Sequence, residues 1–224
     1  QERLDEPARA LEAYGAAVSA QPSNQEALDA LLGAASDGAE GAVRKSVIAA
    51  LETAIGDIES TDEVRALAAL AGLLREAGDD LPRAARTYER LLELAPDALD
   101  HYEALDQIYA FQDDAEGRIR VLGEMVERLD GPRRAQVLVE LAQLLLANDE
   151  QSDAVDALYR ALETPDHLDD DRQPLAFHLL EEALESDERW FDLCEVLGRR
   201  IGFAKGLGEE KALRYRAALL EEEH

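Results

Sequence analysis

The side chains that could carry out chemistry are concentrated in the last third of the chain. The aspartate-rich stretch 166–171 could bind a hard cation, but the central glycine and closing glutamate of a calcium loop are missing from it. His178 has a helical spacing to Glu181 or Glu182 that would suit a metal, but two ligands do not make a metal site. We therefore interpret the aspartates as a solvated loop and predict no metal site.

Other catalytic groups are equally isolated. Cys194 is the one cysteine, which excludes an internal disulfide and a cysteine-based metal cluster. Its helical neighbours Leu193 and Val196 predict that it is a buried small hydrophobe, and Trp190 is predicted to be a packing residue. The sequence contains no nucleophile elbow, glycine-rich phosphate loop or zinc motif. We predict that the chain is not an enzyme and binds no cofactor.

The formal net charge of −27 limits the classes of partner. Nucleic acids and anionic membrane surfaces are bound mainly through Lys and Arg, so neither is an expected partner. No apolar run approaches the roughly 20 residues of a membrane span. The chain begins at Gln1 without an initiator methionine, which predicts that it is a piece of a longer protein, and a cytoplasmic location is favoured.

Two apolar patterns alternate along the chain and predict the elements that position these side chains. The first pattern places large residues three and four apart, on one helix face, as in Leu67, Leu70, Ala71 and Leu74. The second pattern is small-x-x-x-large-x-x-small, and its copies begin at Ala10, Val47, Ala84, Arg118, Ala154 and Leu193. Both recur about every 37 residues, which predicts a repeated helix pair.

Helix-breaking residues separate the patterns. Pro22, Pro96 and Pro165 stop the second helices, and Gly78 and Asn148-Asp149 lie at turns within pairs. The short connections predict antiparallel neighbours. No linker or composition shift interrupts the chain, so we predict an all-α fold in a single domain over residues 1–224.

These residues resemble the tetratricopeptide repeat family, whose unit has W-x2-L-G-x2-Y in its first helix and A-x3-F in its second. Leu67, Leu70 and Ala71 match the first helix, and Ala84 with Tyr88 match the second. The resemblance implies an α-solenoid of about six antiparallel helix pairs, a TPR-like right-handed superhelix with a concave inner face. Some copies depart from the pattern, and the scarcity of lysine indicates a bacterial source.

In the family, first helices line the concave face and bind peptides, and one subgroup clamps a terminal carboxylate with Lys and Asn. The matching positions here hold no Lys-Asn pair, for example Asp29 with Gly33 and Glu103 with Gln107. The predicted face is instead acidic and polar. Its candidate partner-binding residues are Glu26, Asp29, Asp100, Glu103, Gln107, Gln143, Glu182 and Glu185.

We therefore predict a non-catalytic scaffold that binds a protein or peptide segment, and a basic one if the acidic face is the site. Two alternatives stay open: a structural, self-associating spacer, or the substrate-recognition arm of an enzyme whose catalytic domain lies elsewhere. The terminal helix around Leu213 and Leu220 has no following partner in the sequence, so a homodimer through that helix is a further expectation.

Overall fold

The computed structural model describes residues 2–21, 24–36, 41–55, 61–78, 80–164 and 167–223. Those residues form α-helices joined by turns, which confirms the all-α prediction. The twelve helices among them are α1 (Glu2–Ala20), α2 (Gln25–Ser36), α3 (Gly41–Ile55), α4 (Thr61–Ala77), α5 (Leu81–Leu94), α6 (Leu99–Phe111), α7 (Ala115–Val126), α8 (Gly131–Ala147), α9 (Gln151–Ala161), α10 (Arg172–Ser186), α11 (Trp190–Ile201) and α12 (Leu207–Glu223).

The helices alternate between the two patterns of the sequence. Even-numbered helices carry the first pattern and are called first helices, and odd-numbered helices carry the second pattern and are called second helices. Within the first unit, first helix α4 packs closely on second helix α5. Within the second unit, α8 packs on α9, α10 packs on α11, and α12 packs on α11, the second helix that precedes it. The predicted helix-pair repeat is confirmed.

The described helices fall into two compact units, residues 1–114 with α1 to α6 and residues 115–224 with α7 to α12. Within the first unit, first helix α2 also contacts first helix α4, and within the second unit α8 contacts α10. The expectation of one domain over 1–224 stays a prediction.

The repeat positions form the core of each unit. Leu67, Leu70, Ala71 and Leu74 on α4 are all buried, and Ala84, Tyr88 and Leu91 on α5 are buried against them. The same positions are buried on α8 and α9, where they are Leu138, Leu141, Ala142, Leu145, Ala154, Leu158 and Ala161. Spacing alone therefore identified the apolar face of these helices. Tyr102, predicted as a core position, is 1% exposed.

The turns inside four helix pairs share one backbone conformation. Gly78, Asp113, Asp149 and Glu188 all have a positive φ between 55° and 70°. In three of these turns the next amide donates to the carbonyl five residues back, from Asp114 to Tyr109, Glu150 to Leu145 and Arg189 to Leu184. This is the hydrogen bond of a Schellman motif, which satisfies the last helical carbonyls. The turns at Gly78 and Asp149 were predicted, whereas those at Asp113 and Glu188 were not.

The predicted packing face of α1 is wrong by one residue. Ala10 is exposed and Tyr14 is 40% exposed, whereas Leu11 and Val18 are buried. The reason is that α1 packs along α3, where a Cβ at Gly15 would lie only 2.9 Å from Ala50 Cβ. This backbone contact turns a different side of the helix inward. Pro22 and Pro165 lie outside the described residues.

Candidate interaction surfaces

In the first unit, the predicted partner-binding residues lie on exposed or half-buried positions of α2 and α6. Glu26, Asp29, Asp100 and Gln107 are exposed, and Glu103 is half-buried. The buried residues of α6, including Leu105 and Ile108, occupy the opposite side. The same helix therefore separates packing residues from acidic surface residues, as a period of 3.6 residues requires.

Asp29 is exposed, but its carboxylate forms an ion pair with Arg65 on α4. The distance from Arg65 Nη2 to Asp29 Oδ1 is 2.8 Å, and Arg65 Nη1 lies 3.2 Å from Asp62 Oδ1. The hydrogen bonds to Asp29 and then to Asp62 raise the pKa of the Arg65 guanidinium. Gln25 Nε2 also donates to Asp62 Oδ2 at 2.6 Å, so the contact between α2 and α4 is lined with polar pairs.

In the second unit, the predicted residues Gln143 on α8 and Glu182 on α10 are exposed, and Glu185 is half-buried. Glu185 forms an ion pair with Arg216 on α12. His178 Nε2 lies 3.4 Å from Glu182 Oε1, with both side chains mostly exposed. Glu185 is thus partly neutralised within the chain, as Asp29 is in the first unit.

Glu181 is the buried centre of this ion-pair cluster, with 1% of its surface exposed. Arg200 Nη1 on α11 lies 2.8 Å from one carboxylate oxygen, and Arg216 Nη1 on α12 lies 2.6 Å from the other. Burial lowers the pKa of Arg216, but its hydrogen bond to Glu185 and the charges of both glutamates outweigh this, and the net pKa is raised. Glu181 therefore joins three helices and is not placed to bind a metal with His178.

Sequence reasoning missed these arginines, although the repeat period contained a signal. Arg65 follows Asp29 by 36 residues and Arg216 follows Glu181 by 35, close to one repeat. Residues separated by one repeat lie on neighbouring helices of the same class when the array is regular. An acid and an arginine at that separation are therefore candidates for an ion pair.

A concave site lies between the start of α11 and the end of α12. This terminal cleft has a volume of about 710 Å³ and is lined by Glu188, Arg189, Trp190, Phe191, Asp192, Cys194, Glu195, Leu220 and Glu221. Phe191 is 83% exposed, and Trp190, Cys194 and Leu220 are half-buried. The predicted burial of Cys194 is wrong, because the side chain lines this cleft and is half-buried, and Trp190 lines the cleft as well.

The lining of the terminal cleft combines half-buried side chains of low polarity with exposed acidic ones. Burial, and then the charge of Glu221, raises the pKa of the Cys194 thiol, so the thiol stays neutral. Arg189 is the one cation among the lining residues and its Nη2 lies 2.7 Å from Asp192 Oδ2. The carboxylates of Glu188, Glu195 and Glu221 therefore dominate the charge of the cleft.

No group of three metal-ligating side chains occurs among the described residues. In the acidic loop, the Asp169 carboxylate accepts a hydrogen bond from the Arg172 backbone amide, at 2.8 Å, at the start of α10. This hydrogen bond lowers the pKa of Asp169. None of the described helices has both the length and the apolar content for a membrane crossing.

Comparison with known proteins finds similarity to solved structures alone. No family model matches the chain, and no curated protein matches it. Solved structures to which the described fold is similar include MamA, at 19% identity over 68% of this chain and 85% of that one, with a TM-score of 0.46. A kinesin light chain of Podosopora anserina with nearly identical TPR-like repeats is 16% identical over 94% and 97% of the two chains, with a TM-score of 0.46.

A further similar structure is a thermophilic TPR protein of Thermus thermophilus, at 19% identity over 80% of this chain and 90% of that one, with a TM-score of 0.34. Structural similarities at this level of sequence identity and TM-score do not transfer a function to this chain. The class defined by the chain's own helix pairs, period and buried positions is a TPR-like all-α helical repeat.

Proposed function

We propose that this protein is a non-catalytic interaction scaffold that binds a protein or peptide segment along the exposed sides of its first helices. The observation that carries the proposal is the division of α6 into a buried apolar side and an exposed side that carries Asp100 and Gln107. Packing of this helix uses its apolar residues, so the exposed polar residues are available to a partner.

A basic segment is the partner that this surface favours. The chain carries a net charge of −27, and Glu26 and Asp100 are exposed carboxylates on two first helices of the first unit. Opposite charge raises the rate of encounter and selects partners. Within the described residues, no cation forms an ion pair with Glu26 or Asp100, whereas Asp29 and Glu185 already have arginine partners.

The structure therefore ranks the candidate residues for a test. Binding of a lysine-rich peptide and of a neutral peptide would be measured by calorimetry at several salt concentrations. We expect the lysine-rich peptide to bind more tightly, and the Glu26→Gln, Asp100→Asn variant to bind it about two- to thirtyfold more weakly, since each of the two exposed charge pairs contributes about 0.2–1 kcal/mol.

A control is Glu93→Gln on second helix α5, which removes one exposed carboxylate from another kind of helix. This variant should bind like the wild type. Binding that is indifferent both to salt and to the Glu26 and Asp100 changes would refute the acidic surface as the site.

A self-associating structural role is the second candidate, and α12 favours it. Tyr215 is 69% exposed and Leu219 is 37% exposed on this helix, so it offers an apolar surface to a second copy. Light scattering across a range of protein concentrations distinguishes the two candidates. A stable dimer that binds no peptide would support the structural role.

A further inference from the structure

We propose, on the basis of the proposed function, that Arg65 on α4 is an intramolecular competitor of the basic partner, and that the partner replaces it with an arginine of its own. The surface concerned is the acidic surface of the first unit, formed by Glu26, Asp29, Asp62 and Asp100. Three features support this role: the position of Arg65 in the repeat, the geometry of its guanidinium group and the exposure of the carboxylates that bind it.

The repeat places Arg65 where other first helices of the first unit carry a carboxylate. Arg65 lies two residues before the start of the apolar pattern on α4, and the same position holds Glu26 on α2 and Asp100 on α6. The residue that starts the pattern is buried in each helix, as Leu28, Leu67 and Tyr102. Because equivalent repeat positions lie at equivalent places on their helices, Arg65 brings a cation to a position that is otherwise acidic.

The Arg65 guanidinium joins two carboxylates from neighbouring first helices. Its Nη2 lies 2.8 Å from Asp29 Oδ1 on α2, and its Nη1 lies 3.2 Å from Asp62 Oδ1 on α4. A planar guanidinium presents its N–H groups in a fixed fork, whereas the ammonium of a lysine is a single point charge. The two carboxylates are therefore arranged for a guanidinium, and an arginine of the partner matches them better than a lysine does.

The ion pairs of Arg65 are open to exchange with a partner. The side chains of Arg65 and Asp29 are 45% and 59% exposed, and that of Asp62 is 26% exposed. Exposed ion pairs contribute little to stability, so exchanging them for intermolecular pairs costs the fold little. The pair of Arg216 with Glu181 in the second unit differs, because that carboxylate is 1% exposed and out of reach of a partner.

The surrounding charge decides between a basic and an acidic partner at Arg65. The guanidinium already holds two carboxylates, and Glu26 and Asp100 add negative charge at the equivalent positions of α2 and α6. These groups repel a carboxylate of a partner, whereas they attract an arginine once Arg65 moves aside. Binding therefore exchanges one guanidinium for another.

The test uses two peptides of one design, the first with arginines and the second with lysines at the same positions. Calorimetry measures their affinity for the wild type and for Arg65→Gln, which removes the competitor from Asp29 and Asp62. We expect this variant to bind the arginine peptide about two- to thirtyfold more tightly than the wild type does, since two exposed charge pairs become available to the ligand. The lysine peptide should gain less, because it lacks the fork of N–H groups.

Two further variants separate competition from a general gain of negative charge. Arg90→Gln on α5 also removes one positive charge and breaks an ion pair with a carboxylate of α4, that of Glu63, and it should leave both affinities within about twofold of the wild type. Asp29→Asn in the Arg65→Gln background should remove most of the gain for the arginine peptide. Circular dichroism and melting temperatures check that the variants fold like the wild type.

The outcomes distinguish the role of Arg65 from the proposed function. If the wild type binds the arginine peptide and Arg65→Gln binds it equally or more weakly, the competitor role is overturned and the proposed function stands. Equal gains for Arg65→Gln and Arg90→Gln would also overturn it, because net charge would then explain the effect. If neither the wild type nor Arg65→Gln binds either peptide, the basic partner and the competition both fail.

Discussion

Arg216 on α12 and Glu181 on α10 form an ion pair of 2.6 Å in which the carboxylate is buried, and Arg200 on α11 binds the other carboxylate oxygen at 2.8 Å. The cluster therefore joins the last three helices through one side chain. Because a buried carboxylate that loses a partner keeps its desolvation penalty, the pair is sensitive to truncation of either member.

Arg216→Ala should lower the free energy of unfolding by about 1–3 kcal/mol. Removing the only partner of a buried carboxylate would cost more, but Arg200 still binds Glu181 in this variant. Urea unfolding followed by circular dichroism measures the change. The control is Arg214→Ala, which removes an exposed pair with Glu210 on the same helix and should change stability by less than about 0.5 kcal/mol. Equal effects of the two substitutions would show that burial of Glu181 does not matter.

Gly15→Ala should destabilise the protein by about 1–3 kcal/mol, because the added Cβ would lie 2.9 Å from Ala50 Cβ and 3.0 Å from Ala50 Cα. The contact is with backbone as well as side chain, so α1 and α3 would have to separate. Thermal unfolding measures the shift.

Gly33→Ala on α2 is the matched control for Gly15→Ala. A Cβ at Gly33 meets nothing within 4 Å, so the substitution should be neutral or stabilising through the better helix propensity of alanine. A neutral Gly15→Ala variant would contradict the close contact between α1 and α3.

Asp113→Gly should stabilise the turn between α6 and α7 by about 0.5–1 kcal/mol, because φ is 55° at this residue and glycine adopts that region without a Cβ penalty. Gly78→Ala at the corresponding turn, where φ is 70°, should destabilise by about 1 kcal/mol although its Cβ meets no other atom. Chemical denaturation of both variants tests the shared turn, and the same sign of change in both would contradict it.

Acid pH should destabilise the first unit through His101. This half-buried ring packs on Tyr88 with 6.0 Å between ring centroids, and burial lowers its pKa although Asp100 raises it by less. Because the folded pKa is below the unfolded value of about 6.5, the unfolded chain binds more protons as the pH falls. The stability contribution is therefore present above about pH 6.5 and is lost as the pH falls through and below that value.

His101→Phe, which keeps an aromatic ring against Tyr88, should reduce the drop in melting temperature between about pH 7.5 and about pH 5.5. Calorimetry at both pH values measures the difference. A titration of His101 by NMR that gave a pKa at or above about 6.5 would contradict this account.

The core and the turns were largely predictable because they depend on residues close together in the chain. Leu67, Leu74 and Tyr88 were assigned to the interior from spacing alone, and all three are buried. The turn at Asp113 was missed because an aspartate in a sequence indicates a positive φ less strongly than a glycine does. The face of α1 was predicted wrongly because Gly15 was not recognised as a contact residue.

The candidate surfaces were less predictable because they depend on pairs of helices. Asp29 and Glu185 were placed on the acidic surface, but their arginine partners lie on other helices. Trp190 and Cys194 were expected to be packing residues, and only the position of α12 shows that they line an open cleft.

By itself, the sequence determined the class of fold, the helix pairs and most of the buried residues, since helical periodicity and turn chemistry are local properties. The tertiary structure decided which carboxylates are neutralised and where an apolar surface stays open. Those properties depend on the relative placement of α2 and α4, and of α10, α11 and α12, which the spacing of residues within one helix does not specify.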